Sequence, residues 1–189
     1  MNNVKLSDNK IAHSTFINYI FEGNLRNELK CNICQFSSKT FNSVLDISLE
    51  ISKNIKSISN ALTAFTSIEH LTHGNEWYCE KCKRKVSSCK QLCINELPLI
   101  LMIHLKRFNY NGKINKFIEF KLIEKITSLA NSEDNKFIIT NYYLYGIIVH
   151  HGYSAHSGHY VAYIKASNDQ WYEMNDSCVR VCKIDEILS

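Results

Sequence analysis

Proline occurs once and glycine six times in 189 residues, and no repeat or low-complexity tract interrupts the chain. Long hydrophobic runs are missing as well. The longest, Leu97 to Ile103, is far short of a membrane span, and Met1 to Lys10 holds no apolar core of signal-peptide length. Charge of one sign is scarce, since a formal +4 is too mild to point to nucleic acid. What is left is ordinary globular composition, 45% apolar and 21% charged, with enough chain for one domain and a real core. The expectation is a soluble intracellular protein of cytoplasm or nucleus, with no membrane partner.

Cysteine is what the chain has in quantity. Eight of them without a secretory signal indicate a reducing compartment and metal ligands, not a disulfide framework. Cys31-Asn32-Ile33-Cys34 and Cys79-Glu80-Lys81-Cys82 form two Cys-x-x-Cys knuckles separated by 44 residues. Such a pair bends its loop so that two thiolates face one point, and two pairs supply the tetrahedral sulfur set that zinc prefers. Cys31, Cys34, Cys79 and Cys82 are therefore read as ligands of one structural Zn2+. A redox dithiol needs one reactive pair and does not explain two. Cys89 and Cys93 lack a partner pair and read as small core residues. Lys81, Lys83, Arg84 and Lys85 read as a solvated knuckle tip.

Periodicity supplies the elements. Residues 1–13 carry no pattern and form a disordered lead-in. Phe16, Ile17, Ile20 and Phe21 fall at helical spacing between Ser14, as N-cap, and Gly23, which closes the turn. Phe41, Leu45, Ile47, Leu49 and Ile51 alternate as a half-buried strand, and Leu62, Phe65, Ile68 and Leu71 form a helical stripe beginning near Ser59 or Asn60. Leu97 to Phe108 reads as a central strand covered on both faces, with His104 structural. Asn111-Gly112 marks a tight turn, 128–136 a polar loop, and Phe137 to Val149 a further strand region.

The last third concentrates the chemistry. Ser157-Gly158-His159-Tyr160-Val161-Ala162-Tyr163-Ile164 and Trp171-Tyr172-Glu173-Met174-Asn175 flank the polar break 166–170 and read as a hairpin. With that loop, facing residues sum to about 336 and His159 lies near Asn175, Asp176 and Ser177. An even sum puts Asn175 on the His159 face; an odd one puts Asp176 there. Either can accept an Nδ1–H from the imidazole, which is the base-and-orienter half of a nucleophilic triad. Gly158 leaves the strand without a Cβ, so another backbone can approach.

This stretch resembles the His box of the ubiquitin-specific proteases. Other parts resemble the same family: the two knuckles, Leu97-Pro98 with Leu105-Lys106-Arg107-Phe108, and Phe21-Glu22-Gly23-Asn24-Leu25-Arg26. The resemblance implies His159 as general base for a cysteine nucleophile and Asn175 as its orienter, with Asp176 second. It implies Ser157, Gly158 and Tyr160 beside the channel for ubiquitin's Gly-Gly tail. The implied fold is α+β: a papain-like palm with an antiparallel-rich central sheet at about 97–188 and zinc-ribbon fingers at about 25–95, all within 14–188.

The family's cysteine box should precede these motifs, yet no cysteine occurs before Cys31, and Cys178 sits in an apparent strand. The expectation is a deubiquitinase represented by an incomplete chain, its thumb and nucleophile missing and its own activity low, with ubiquitin and ubiquitinated proteins as partners. The alternatives are an inactive ubiquitin-binding protein and a zinc-ribbon nucleic-acid binder using Lys81 to Lys85.

Overall fold

The computed structural model describes residues 15–110, 112–129 and 136–188. In chain order the elements are α1 (Phe16–Phe21), β1 (Gly23–Cys31), β2 (Ser37–Val44), β3 (Ile47–Glu50), α2 (Ile58–Phe65), β4 (Glu69–Leu71), β5 (Trp77–Cys79), β6 (Arg84–Val86) and β7 (Ser88–Glu96). There follow β8 (Ile103–Lys106), β9 (Phe108–Asn109), β10 (Gly112–Lys113), β11 (Ile123–Leu129), β12 (Phe137–Tyr143), β13 (Gly146–Ser154), β14 (Ser157–Lys165), β15 (Trp171–Asn175), β16 (Cys178–Cys182) and α3 (Ile184–Leu188). Strands dominate and the described helices are short.

The chain divides into two compact units. One comprises Met1–Ser48, Thr63–His104 and Thr127–Ile139. Its centre is an antiparallel sheet ordered β2-β1-β7-β4, in which β1 is flanked on both edges. Leu25, Cys93 and Ile94 are buried there. A second nucleus of Cys31, Cys79 and Val86 packs with Phe36 and Trp77 around the knuckles.

The other unit comprises Leu49–Leu62, Leu105–Ile126 and Thr140–Ser189. It is built on the antiparallel sheet β13-β14-β15-β16. Alternation sends Val161, Trp171 and Cys182 inward, and Trp171 and Cys182 pack with Ile187 of α3 and with Phe120, Leu144, Ile147 and Tyr163. Before α2 the chain pairs with 118–119: Ile58 N–H donates to the Glu119 carbonyl at 2.9 Å and Glu119 N–H to that of Lys56 at 2.9 Å. The Ser57 hydroxyl accepts from Asn60 N–H at 3.1 Å and so caps α2.

Several expectations are corrected. The 97–108 segment is not a strand covered on both faces: only Ile103–Lys106 is extended, it pairs with β3, and Leu99 is 65% exposed. Pro98 has no N–H for a ladder, and Ile100 N–H goes instead to the Ile20 carbonyl at 3.0 Å. The alternating stripe of 41–51 belongs to two strands broken at 45–46, with Phe41 and Leu45 exposed and Ile47, Leu49 and Ile51 buried. The stripe through Leu71 ends as a helix at Phe65, where Ser67 turns back on the Ala64 carbonyl and β4 begins.

At the first helix the N-cap is Thr15, Glu22 is the C-cap and Gly23 opens β1. Ser14, the lead-in 1–13 and Asn111 lie outside the described residues, as do 130–135 of the expected polar loop. Its first residues, Ser128 and Leu129, are buried in β11. Phe137 to Val149 is two strands, β12 and β13, not one. Cys89 is half-buried, its sulfur 3.3 Å from Asn32 Oδ1 and 3.4 Å from His70 Nδ1.

Trp171 is the largest side chain in the core of the β13–β16 sheet. Trp171→Ala is expected to lower unfolding free energy by about 3–5 kcal/mol, read from the denaturant midpoint.

Candidate functional site

His159 and Asn175 are brought together by register. In the β14–β15 ladder Ala162 faces Met174, Tyr163 faces Glu173 and Ile164 faces Tyr172, an even register that sets His159 and Asn175 on one face. The imidazole is exposed, and its Nε2 lies 2.6 Å from Oδ1 of Asn175. An amide oxygen can only accept, so Nε2 carries the proton and Nδ1 is left as the basic nitrogen. The contacting nitrogen is Nε2, where Nδ1 was expected. Asp176 stands instead in the two-residue turn to β16, with φ 50°, and it is Asn175 that meets the ring.

The other expected residues are placed as follows. Ser157 Oγ lies 3.0 Å from Ser154 Oγ at the β13–β14 turn. Tyr160 is 63% exposed, its ring 4.8 Å from that of His150. The space beside Gly158 is filled from within: a Cβ there would overlap His150 Nε2 and come within 2.6 Å of the His151 carbonyl. The glycine therefore accommodates an imidazole of its own chain. His104 lies 3.0 Å from Ser48 Oγ through Nδ1. Cys178 is exposed on β16 and faces Asn175 across the ladder. Among the described residues no thiol is hydrogen-bonded to His159.

The knuckles are near-copies of each other. Cys34 N–H points at Cys31 Sγ at 3.4 Å, and Cys82 N–H at Cys79 Sγ at 3.5 Å. The next residue in each, Gln35 or Lys83, takes a left-handed φ of 59° or 55° and donates its N–H to the carbonyl of the first cysteine. All four sulfurs lie within 4.8 Å of one another, with Cys31–Cys82 at 3.9 Å and Cys34–Cys79 at 3.6 Å. Tetrahedral bonds of about 2.3 Å require sulfur separations of about 3.8 Å, so the set fits one zinc-sized ion. The metal-free thiols titrate as a group. The Cys34 backbone N–H lowers Cys31 to about 6. Hydrogen bonding with Cys34, followed by burial, pushes Cys82 up to about 12. Lys81, Lys83, Arg84 and Lys85 are exposed beside them.

What sequence reasoning missed is the surround of Gly158, formed by Lys113 and His150. The signal available was the pair Gly152 and Gly158, which together leave an imidazole-sized gap.

Residues 2–189 match the family described as ubiquitin carboxyl-terminal hydrolase. Similar curated proteins include ubiquitin carboxyl-terminal hydrolase 23 of Arabidopsis thaliana, 38% identical over 91% of this chain and 20% of its own length. Human ubiquitin carboxyl-terminal hydrolase 42 is 39% identical over 96% of this chain and 14% of its own. A solved structure of the SAGA Ubp8/Sgf11/Sus1/Sgf73 DUB module bound to ubiquitin aldehyde superposes with TM-score 0.83 at 32% identity, covering 97% of this chain and 42% of that one. The same module bound to monoubiquitin gives 0.78 at 35% identity over 91% and 39%. The chain thus spans less than half of these relatives.

Cadmium added to the reduced protein is expected to give thiolate-to-metal absorption saturating at one ion per chain. Cys79→Ser should weaken binding by more than the roughly 10–100-fold typical of outer-shell changes, read by competition with a chelating dye.

Proposed function

This chain belongs to the ubiquitin carboxyl-terminal hydrolase family, and on that premise we propose that it carries the base half of a thiol hydrolase cutting at the C-terminus of ubiquitin. The observation that carries the reading is the 2.6 Å contact of His159 Nε2 with Asn175 Oδ1. With Nε2–H donated to the amide, Nδ1 is free to take a proton from a thiol, and the ring is held against rotation when it becomes charged. Asn175 is the orienter; Asp176, in the adjoining turn, is the second candidate. Ser157, Gly158 and Tyr160 flank the base and border the channel for the Gly-Gly tail.

The nucleophile belongs to a cysteine-box segment outside these 189 residues. That segment would form the thumb of a papain-like α+β fold whose palm is about 97–188 and whose fingers are about 25–95. Hydrolysis needs a thiolate about 3–3.5 Å from the scissile carbon and oxyanion donors opposite, and both fall to the thumb. Cys31, Cys34, Cys79 and Cys82 would hold one structural Zn2+, which joins the two knuckles and takes no part in the reaction. Ubiquitin and ubiquitinated proteins are the partners, and the reduced cysteines suit an intracellular site.

The 189-residue chain alone is expected to bind ubiquitin weakly and to leave a fluorogenic ubiquitin substrate uncut. The full-length gene product should cleave it. His159→Ala should lower kcat/KM by about 10²–10⁴-fold, and Cys178→Ser should leave it unchanged. Ubiquitin binding without turnover by the full-length product would favour an inactive binding protein. Turnover by the short chain that Cys178→Ser stops would assign the nucleophile to Cys178. For the metal, the sign follows from the thiols: Cys31, lowered to about 6, is ionised above that value, so protons compete as pH falls. Zinc should be retained at neutral pH and released below about 6, measured by equilibrium dialysis.

A further inference from the structure

We infer that Lys113 is a positioning residue for His159, acting through His150. The inference rests on the catalytic reading of His159. Strand alternation puts His159 on one face of β14 and Gly158 and Tyr160 on the other. His150, whose ladder partner is Tyr160, shares that reverse face. Lys113 reaches it from the hairpin β9–β10, in which Lys113 faces Phe108.

The Lys113 ammonium meets three acceptors: the His150 carbonyl at 2.6 Å, the Gly152 carbonyl at 2.9 Å and His150 Nδ1 at 3.3 Å. An ammonium has three protons and no lone pair, so this set is complete. Nδ1 must then be unprotonated and the His150 proton must sit on Nε2. The ring lies edge-on to Phe108, centroids 5.6 Å apart, and tilted against Tyr160. It occupies the gap left by two glycines. A Cβ on Gly158 would stand 2.7 Å from His150 Cε1, and one on Gly152 3.0 Å from it.

The regular ladder fails in this place. The β13–β14 register shifts between His151 and Ser154, next to the pair His151 and His159. The strand end that carries the base is therefore held less by ladder bonds than by an ammonium and an imidazole behind it. Removing the ammonium leaves two carbonyls and Nδ1 without their donor and frees the ring. A base displaced by about 1 Å from its nucleophile loses about 10²-fold in rate.

The test uses Lys113→Met in two settings, with His150→Gln as a second variant should the first fail to fold. In the nitrogen-15-labelled 189-residue chain, wild type should show His150 as a single Nε2–H tautomer and a slowly exchanging His159 Nε2–H. Either variant should speed exchange of the His159 proton at least about 10-fold while far-ultraviolet dichroism is unchanged, since the constraint on its strand is lost. In the full-length product Lys113→Met should lower kcat by about 10–100-fold with KM within about threefold. An unchanged His159 spectrum, or a rise in KM with kcat intact, overturns the inference. If His159→Ala itself leaves the full-length product active, the catalytic reading fails; if that variant is dead and Lys113→Met keeps its kcat, only the role of Lys113 fails.

Discussion

A slip of one residue in the β14–β15 ladder would turn either His159 or Asn175 to the opposite face of the sheet. Everything at the candidate site hangs on that register. It is secured by burial: Val161 and Trp171 lie inward on the same face as His159 and Asn175. A slip would send Trp171 into water, at a cost of several kcal/mol by ordinary transfer energies of about 25 cal/mol per Å². The imidazole is thus exposed and chemically available, while the alternation that aims it is enforced by side chains that are not. Asn175 ends its strand, so the turn that holds Asp176 begins immediately beyond it.

The knuckles depend on a different device. Hydrophobic burial brings Cys31 and Cys79 to complete exclusion from solvent, with Val86, Phe36 and Trp77 around them. Burial alone would disfavour thiolates, and the N–H groups of Ile33 and Cys34 offset this at Cys31. A left-handed residue after each second cysteine folds the backbone so that these N–H groups face sulfur. Four thiols so arranged cannot all ionise together, as the opposite shifts of Cys31 and Cys82 show, unless a cation joins them.

The features legible in the sequence were those fixed by short-range rules. Two Cys-x-x-Cys pairs imply converging sulfurs whatever the path between them, and a five-residue loop between β-rich runs sets a register by counting. Long apolar runs proved less informative. Leu97 to Ile103 looks like a strand covered on both faces, yet one missing N–H at Pro98 and the pull of the Ile20 carbonyl keep most of it irregular. The stripe from Leu62 to Leu71 has helical period, but Ser67 ends the helix and the later members of the stripe join other structure. Periodicity also says nothing about contacts between distant segments. Lys113 and His150 are 37 residues apart, and neither belongs to a pattern that announces their meeting.

The separation of the knuckles has a consequence for how this chain can vary. A metal held by Cys34 and Cys79 closes a loop of 44 intervening residues. Closure entropy grows only logarithmically, so doubling that loop would cost about 0.6 kcal/mol. The segment between the knuckles is thermodynamically cheap to lengthen or shorten, provided that β1, β7 and the two turns keep their ends together. Insertions are best tolerated here, and a graft of foreign sequence into this loop would leave the sulfur geometry intact.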